Sequence, residues 1–175
     1  SKIMEPIQSR CTVFRFKRLE IEPVKKLVRD MAQKEKFKIN DNAIEALYEL
    51  SEGDLRRVVN ILQSSAVMKK EIDEKLIYDL VSIAEPKEIK DILLLAIQGN
   101  FIKARELLLD TMLKHSFSGL DAIKQIHKEI FKLEIAEEKK AKMIERCGEI
   151  EFRIVEGSDE FLQLETLLAS FALIR

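Results

Sequence analysis

Tryptophan is absent from this chain, cysteine occurs twice, histidine twice, proline three times and glycine five times in 175 residues. Each scarcity removes a class of protein. Cys11 and Cys147 are too few for a disulfide framework, and they fit a reducing, intracellular setting. His115 and His127 stand twelve positions apart with no clustered ligands, so they read as helix-surface or boundary residues, not as metal ligands. No Ser/His/Asp or Cys/His set suggests itself. A phosphate-binding loop needs two glycines five positions apart followed by Lys and Ser or Thr. The glycines stand at 53, 99, 119, 148 and 157, and no pair has that spacing. No apolar run approaches the roughly 18–20 residues that span a bilayer, and the N-terminus has no apolar signal-peptide core. The chain is therefore expected to be no enzyme by itself, to bind no metal and to have no membrane partner.

What remains is rich in helix formers. The sequence is 46% hydrophobic and 35% charged, enough for a real core with a well-covered surface. The formal net charge of −1 hides an asymmetry: residues 1–40 hold 11 Lys/Arg against 5 Asp/Glu, and the rest carries the acidic excess. A basic leading segment suits an anionic neighbour, although a solvated helix face is the simpler account of it.

The periodicity predicts a largely all-α chain. Val13, Phe14 and Phe16 among cations allow one short N-terminal strand. Pro23 opens a helix running to about Lys36, with Val24, Leu27, Val28 and Met31 on one face. Asn40 to Asn42 supply caps for a second helix, which Gly53 stops. Asp54 caps a third, whose stripe of Leu55, Val58, Val59, Leu62 and Ala66 places Arg56 at its edge, beside Asn60 and Gln63, with Arg57 turned away. A short helix over about 74–83 closes this bundle. Beyond Pro86, five longer helices are expected over about 87–98, 100–115, 119–135, 137–156 and 159–174, with Ser118 and Ser158 where caps are wanted. Between Glu165 and Arg175 the last helix has no charge at all, so burial on several sides, a subunit interface, or both are expected.

Two arginines are candidate phosphate contacts. Arg56 stands in the first turn of the third helix, where exposed backbone N–H groups and the helix dipole favour anions. Arg10 sits in "SRC", and a guanidinium offers a rigid fork of donors suited to phosphate at an interface. On chemistry alone the ordinary surface residue is the better reading of each.

The two motifs together carry more. "SKIMEPIQSRCTVFRF" resembles the end of the ATPase domain in small subunits of replication factor C, the clamp loader of archaea and eukaryotes, where "SRC" carries the arginine finger. "GDLRRVVNILQ" resembles that family's sensor-2 motif, and "EGSDEFLQLETLLASFALI" resembles its last helix. The resemblance covers the whole chain, with the first two motifs in the family's order. It implies an ATPase-domain tail over 1–12, a helical lid bundle over 13–85, and a five-helix C-terminal collar over 86–175 that oligomerises. The family's Walker motifs are missing, so the chain is expected to be the C-terminal part of a subunit. By the resemblance, Arg56, and less directly Arg57, would contact the phosphates of ATP held with Mg by the intact subunit. Arg10 would act in trans on a neighbour's ATP. The implied partners are other clamp-loader subunits, the sliding clamp and primer–template DNA, with the fragment itself a homo-oligomer. The implied location is the cytoplasm of an archaeon, or a nucleus. The alternative is a stand-alone helical nucleic-acid-binding module using the basic N-terminal segment.

Overall fold

The computed structural model describes residues 10–12, 14 and 17–174. Of the expected N-terminal strand, Val13 and Phe16 lie outside the described residues, and Phe14 is exposed without regular structure. The chain divides into two compact units, residues 1–74 and 75–175.

In the first unit, α1 (Ile21–Glu35) is followed by β1 (Lys38–Ile39), α2 (Asp41–Ser51), α3 (Leu55–Met68) and β2 (Glu71–Ile72). The two strands form a minimal parallel ladder, Lys38 opposite Glu71 and Ile39 opposite Ile72. Local chemistry sets the boundaries. The Asn40 side chain accepts from Ala43 N at 2.8 Å and starts α2. Lys36 and Glu52 end α1 and α2 in the left-handed region, at φ 57° and 53°. Val24, Val28, Ile44, Leu47, Val58 and Leu62 are fully buried and form the core of the three helices.

The second unit holds most of α4 (Glu74–Val81), then α5 (Pro86–Ile97), α6 (Phe101–His115), α7 (Gly119–Ile130), α8 (Glu137–Val155) and α9 (Glu160–Leu173). α9 packs against α5, α6, α7 and α8, and α5 also packs against α6 and α7. Leu164, Leu167, Leu168 and Phe171 supply its buried flank. It is thus packed on several sides, and of its uncharged stretch after Glu165 Leu173 stays 80% exposed.

Two boundaries shift from the sequence reading. α7 ends at Ile130, not near residue 135, because the chain tightens through Lys132 N to Glu129 O and Leu133 N to Ile130 O, and Leu133 drops into the core. The cap of α9 is Asp159, whose carboxylate accepts from Leu162 N at 2.8 Å, and not Ser158. An anionic acceptor is the better partner for the positive end of a helix. Ser118 does cap α7, reciprocally with Asp121.

Candidate functional site

The turn between α2 and α3 is built to fix the start of α3. Glu52 and Gly53 are both left-handed, Gly53 at φ 82°. Asp54 N donates to Ser51 O at 2.9 Å and closes the turn. A Cβ at Gly53 would stand 3.1 Å from Arg18 Cβ, so glycine lets the segment before α1 cross here without shifting. That segment is tied down twice: Arg18 Nη2 meets Glu52 Oε2 at 3.1 Å, and Tyr48 Oη donates to Leu19 O at 2.9 Å.

Asp54 then caps α3. Its Oδ1 accepts from Arg56 N at 2.8 Å and Arg57 N at 3.4 Å. This corrects the view that free backbone N–H groups await an anion beside Arg56. The Asp54 carboxylate already occupies the positive end of the helix, so any phosphate bound here is held by guanidinium groups.

The facing of Arg56 also needs correction. The buried stripe of α3 runs through Val58, Leu62 and Ser65 and not through Leu55, which is only half-buried. At 100° per residue, Arg56 lies roughly 150° from the centre of that stripe. It shares the solvent-facing side with Asn60, Gln63 and Val67, all exposed. Packing therefore does not hold the Arg56 side chain. Arg57, on another exposed flank, is equally open. Neither guanidinium has an ion pair among the described residues. The pair is a fixed backbone platform carrying two permanently charged, solvent-facing forks.

Arg10 lies in an exposed turn beside the exposed Cys11, likewise without an ion pair among the described residues. The basic leading segment is less free than its charge suggests. Lys25 meets Glu45 at 2.8 Å, Arg29 meets Asp41 at 2.7 Å and Lys38 meets Glu71 at 3.3 Å. The hydrogen bond from Arg29 and its charge hold the Asp41 carboxyl below the ordinary carboxylate range.

One polar centre escaped the sequence reading. His115 is buried, not at the surface: its Nε2 lies 2.8 Å from Glu88 Oε2 and its Nδ1 3.6 Å from Asp79 Oδ1. Glu88 also accepts from Lys114 Nζ at 2.6 Å and from Glu85 N at 3.0 Å. Burial raises the Glu88 pKa, but the bonds from Lys114, Glu85 N and His115 outweigh it and hold the carboxyl below its usual range. The signal was available, since position 115 continues the buried α6 series Ala104, Leu108, Thr111 and Met112. His127 is exposed and meets Phe131 edge-on. Among the described residues no three His, Cys, Asp or Glu side chains gather to hold a metal, and no helix is long and apolar enough to cross a membrane.

Residues 84–170 match the family described as Replication factor C C-terminal domain, and residues 21–77 match the RFC1-like, AAA+ ATPase lid domain. The chain is 45% identical to the replication factor C small subunit of Pyrococcus furiosus over 99% of its own length and 20% of that protein. It is 46% identical to the corresponding small subunit of Staphylothermus marinus, over 99% of this chain and 53% of the relative. The chain thus spans from about a fifth to about half of these relatives. In fold it is similar to the Bacillus subtilis DNA clamp loader delta protein (YqeN), with a TM-score of 0.53 at 16% identity, over 90% of this chain and 58% of that one. The chain belongs to the replication factor C family, of which it carries the lid and the C-terminal domain.

Proposed function

We propose that this chain is the lid and collar of a clamp-loader small subunit, coupling ATP state to ring assembly and to loading of a sliding clamp on primer–template DNA. The lid would run over 13–85 and the collar over 86–175. The observation that carries this reading is the state of Arg56 and Arg57. Both are exposed and, among the described residues, have no ion pair, on a helix start fixed by Asp54 and Gly53. Two unpaired arginine forks on a rigid base fit the terminal oxygens of a nucleotide triphosphate, which accept paired N–H donors. ATP bound with Mg to the ATPase domain of the same subunit would supply that triphosphate, and Arg56 would translate its presence into lid angle. Arg10 would reach a neighbouring subunit's nucleotide and stabilise the charge that builds up there. The collar would hold subunits together so that lid rotations act in concert.

The alternative, a free-standing nucleic-acid-binding module, is weaker. Lys25, Arg29 and Lys38 are engaged with carboxylates of their own unit, so the basic segment offers phosphates fewer free cations than its composition implies.

The test uses the assembled loader built from complete subunits. Arg10→Ala is expected to cut ATP turnover by about 10³-fold or more, on the scale of arginines supplied in trans, while nucleotide binding persists. Arg56→Ala is expected to weaken the response of the lid to nucleotide without lowering the stability of the chain. Normal turnover from the Arg10→Ala ring would refute the finger role. Salt-dependent DNA binding by this chain alone would favour the alternative.

A further inference from the structure

The outer face of α6 and the groove between α8 and α9 are chemically complementary, and they lie on opposite flanks of the collar. On α6 the buried residues Ala104, Leu108, Thr111, Met112 and His115 define one side. The opposite side presents Ile102, 61% exposed, and Leu113, 74% exposed, with the half-buried Leu109 between them. Spacings of seven and four residues put these three on one strip. Glu106 and Asp110 lie along the same strip, exposed and without an ion pair among the described residues. This is the apolar, acid-edged face of an amphipathic helix with nothing packed on it.

The groove between α8 and α9 has the opposite character. It encloses ≈ 590 Å³, and its lining includes Lys142, Arg146, Arg153, Leu173 and Ile174. Leu173 is 80% exposed, and Arg153 has no ion pair among the described residues. Glu145 and Glu149 also line it, leaving three cations against two carboxylates. The Lys142–Glu138 and Arg146–Glu149 pairs are solvent-exposed and therefore easily exchanged for other partners.

α9 separates these two surfaces. Glu165 on one flank of α9 pairs with Arg105 of α6 at 2.6 Å, while Ser170 and Ile174 on its other flank line the α8 groove. One copy cannot bring its own α6 face into its own groove. A contact between these faces joins two copies head to tail, and such a heterologous contact repeats until it closes a ring or extends a filament.

We propose that the α6 strip of one copy seats in the α8–α9 groove of the next, with Glu106 and Asp110 against Lys142, Arg146 and Arg153. A helix laid into a groove by spaced apolar anchors is a common mode of association. The inference rests on the collar being the assembling part and names the surfaces that do it.

The test is charge reversal on the full chain, read by light scattering with molar-mass determination and controlled for folding by helicity. The wild-type chain is expected to associate. Glu106→Lys with Asp110→Lys, and separately Lys142→Glu with Arg153→Glu, are each expected to raise the concentration needed for half-association at least tenfold. All four substitutions in one chain restore opposite signs across the contact and are expected to recover association. So is mixing the two double variants. Association of the wild type that neither double variant weakens would overturn this interface and leave collar assembly standing. Weakening without recovery in the fourfold variant would overturn the pairing. A wild-type chain monomeric at every concentration would overturn both the interface and collar assembly.

Discussion

Gly53→Ala is expected to destabilise the first unit about twice as much as Gly99→Ala destabilises the second, although the two glycines have nearly the same φ, 82° and 83°. An alanine held in the left-handed region costs roughly 1 kcal/mol at either position. At Gly99 a new Cβ meets nothing within 4 Å, so the backbone cost is the whole effect. At Gly53 the Cβ would stand 3.1 Å from Arg18 Cβ, 3.3 Å from Arg18 Cγ and 3.5 Å from Arg18 Cα. The Cα and Cβ cannot swing aside like the end of a flexible chain, so the segment before α1 must move. Its movement strains the bond from Tyr48 Oη to Leu19 O, and a hydrogen bond of this kind contributes about 1 kcal/mol. The Arg18–Glu52 pair adds little, because both side chains are about two-thirds exposed or more. The sum is about 2 kcal/mol for Gly53→Ala and about 1 kcal/mol for Gly99→Ala, or roughly thirtyfold against fivefold in the opening equilibrium. Native-state hydrogen exchange separates the units: amides of α2 and α3 report the first substitution, and those of α5 and α6 the second. Equal losses at the two sites would show that the Arg18 crossing does not constrain the turn.

Glu88→Gln is expected to lower stability at neutral pH, with the deficit shrinking in acid. The folded Glu88 pKa is depressed, so its contribution is complete above the ordinary value of 4.5 and is lost as pH falls through the lower folded value. Urea unfolding of both proteins from pH 7 downward reads this, and a pH-independent difference would contradict it. Gly119→Ala places a Cβ 2.8 Å from both Cβ and Oε2 of Glu160, whose carboxylate accepts from Gly119 N. Its expected cost of roughly 1–3 kcal/mol should shrink only in part in a Glu160→Ala background, which removes Oε2 but keeps the Cβ, and largely vanish in a Glu160→Gly background; strict additivity in the Gly119→Ala, Glu160→Gly double-mutant cycle would refute the clash. Cys147 is 2% exposed and burial pushes its thiol up to about 12, whereas Cys11 is exposed. A disulfide reagent is therefore expected to label one thiol in the native chain and two after denaturation; rapid native labelling of both would contradict the placement of Cys147.

The caps were the most legible part of the sequence, because capping is decided within four residues. Asn40, Asp54 and Ser118 act where their neighbours predicted. Tertiary choices were less visible. The chain leaves α7 early with no glycine to mark the place, because burying Leu133 in the collar core needs a tight turn there. The facing of Arg56 was misjudged through Ser65. That serine is fully buried with its Oγ bonded to Ile61 O at 2.8 Å, so a count of apolar residues passes over a true core position. Passing over it, and counting the half-buried Leu55, Val59 and Ala66 as equals of Val58 and Leu62, shifts the apparent stripe toward Leu55 and draws Arg56 to its edge. His115 was missed for the same reason, as a polar residue in a core register whose partners, Glu88 and Asp79, come from other helices.

The corrected facing changes what Arg56 can do. A guanidinium at the edge of a packed stripe would surrender packing whenever it reached for a ligand. One held by a carboxylate would have to break that pair first, as Arg29 would with Asp41. Among the described residues Arg56 and Arg57 meet neither restraint, while their backbone is fixed by Asp54 beneath them and by the left-handed pair Glu52 and Gly53 before them. Precision comes from the turn and availability from the exposed side chains. Stability and the proposed phosphate contact would therefore draw on different atoms. Substitutions at Gly53 or Asp54 should disturb both, whereas substitution at Arg56 should leave the stability of the lid within about 0.5 kcal/mol of the original, as is usual for exposed positions without partners.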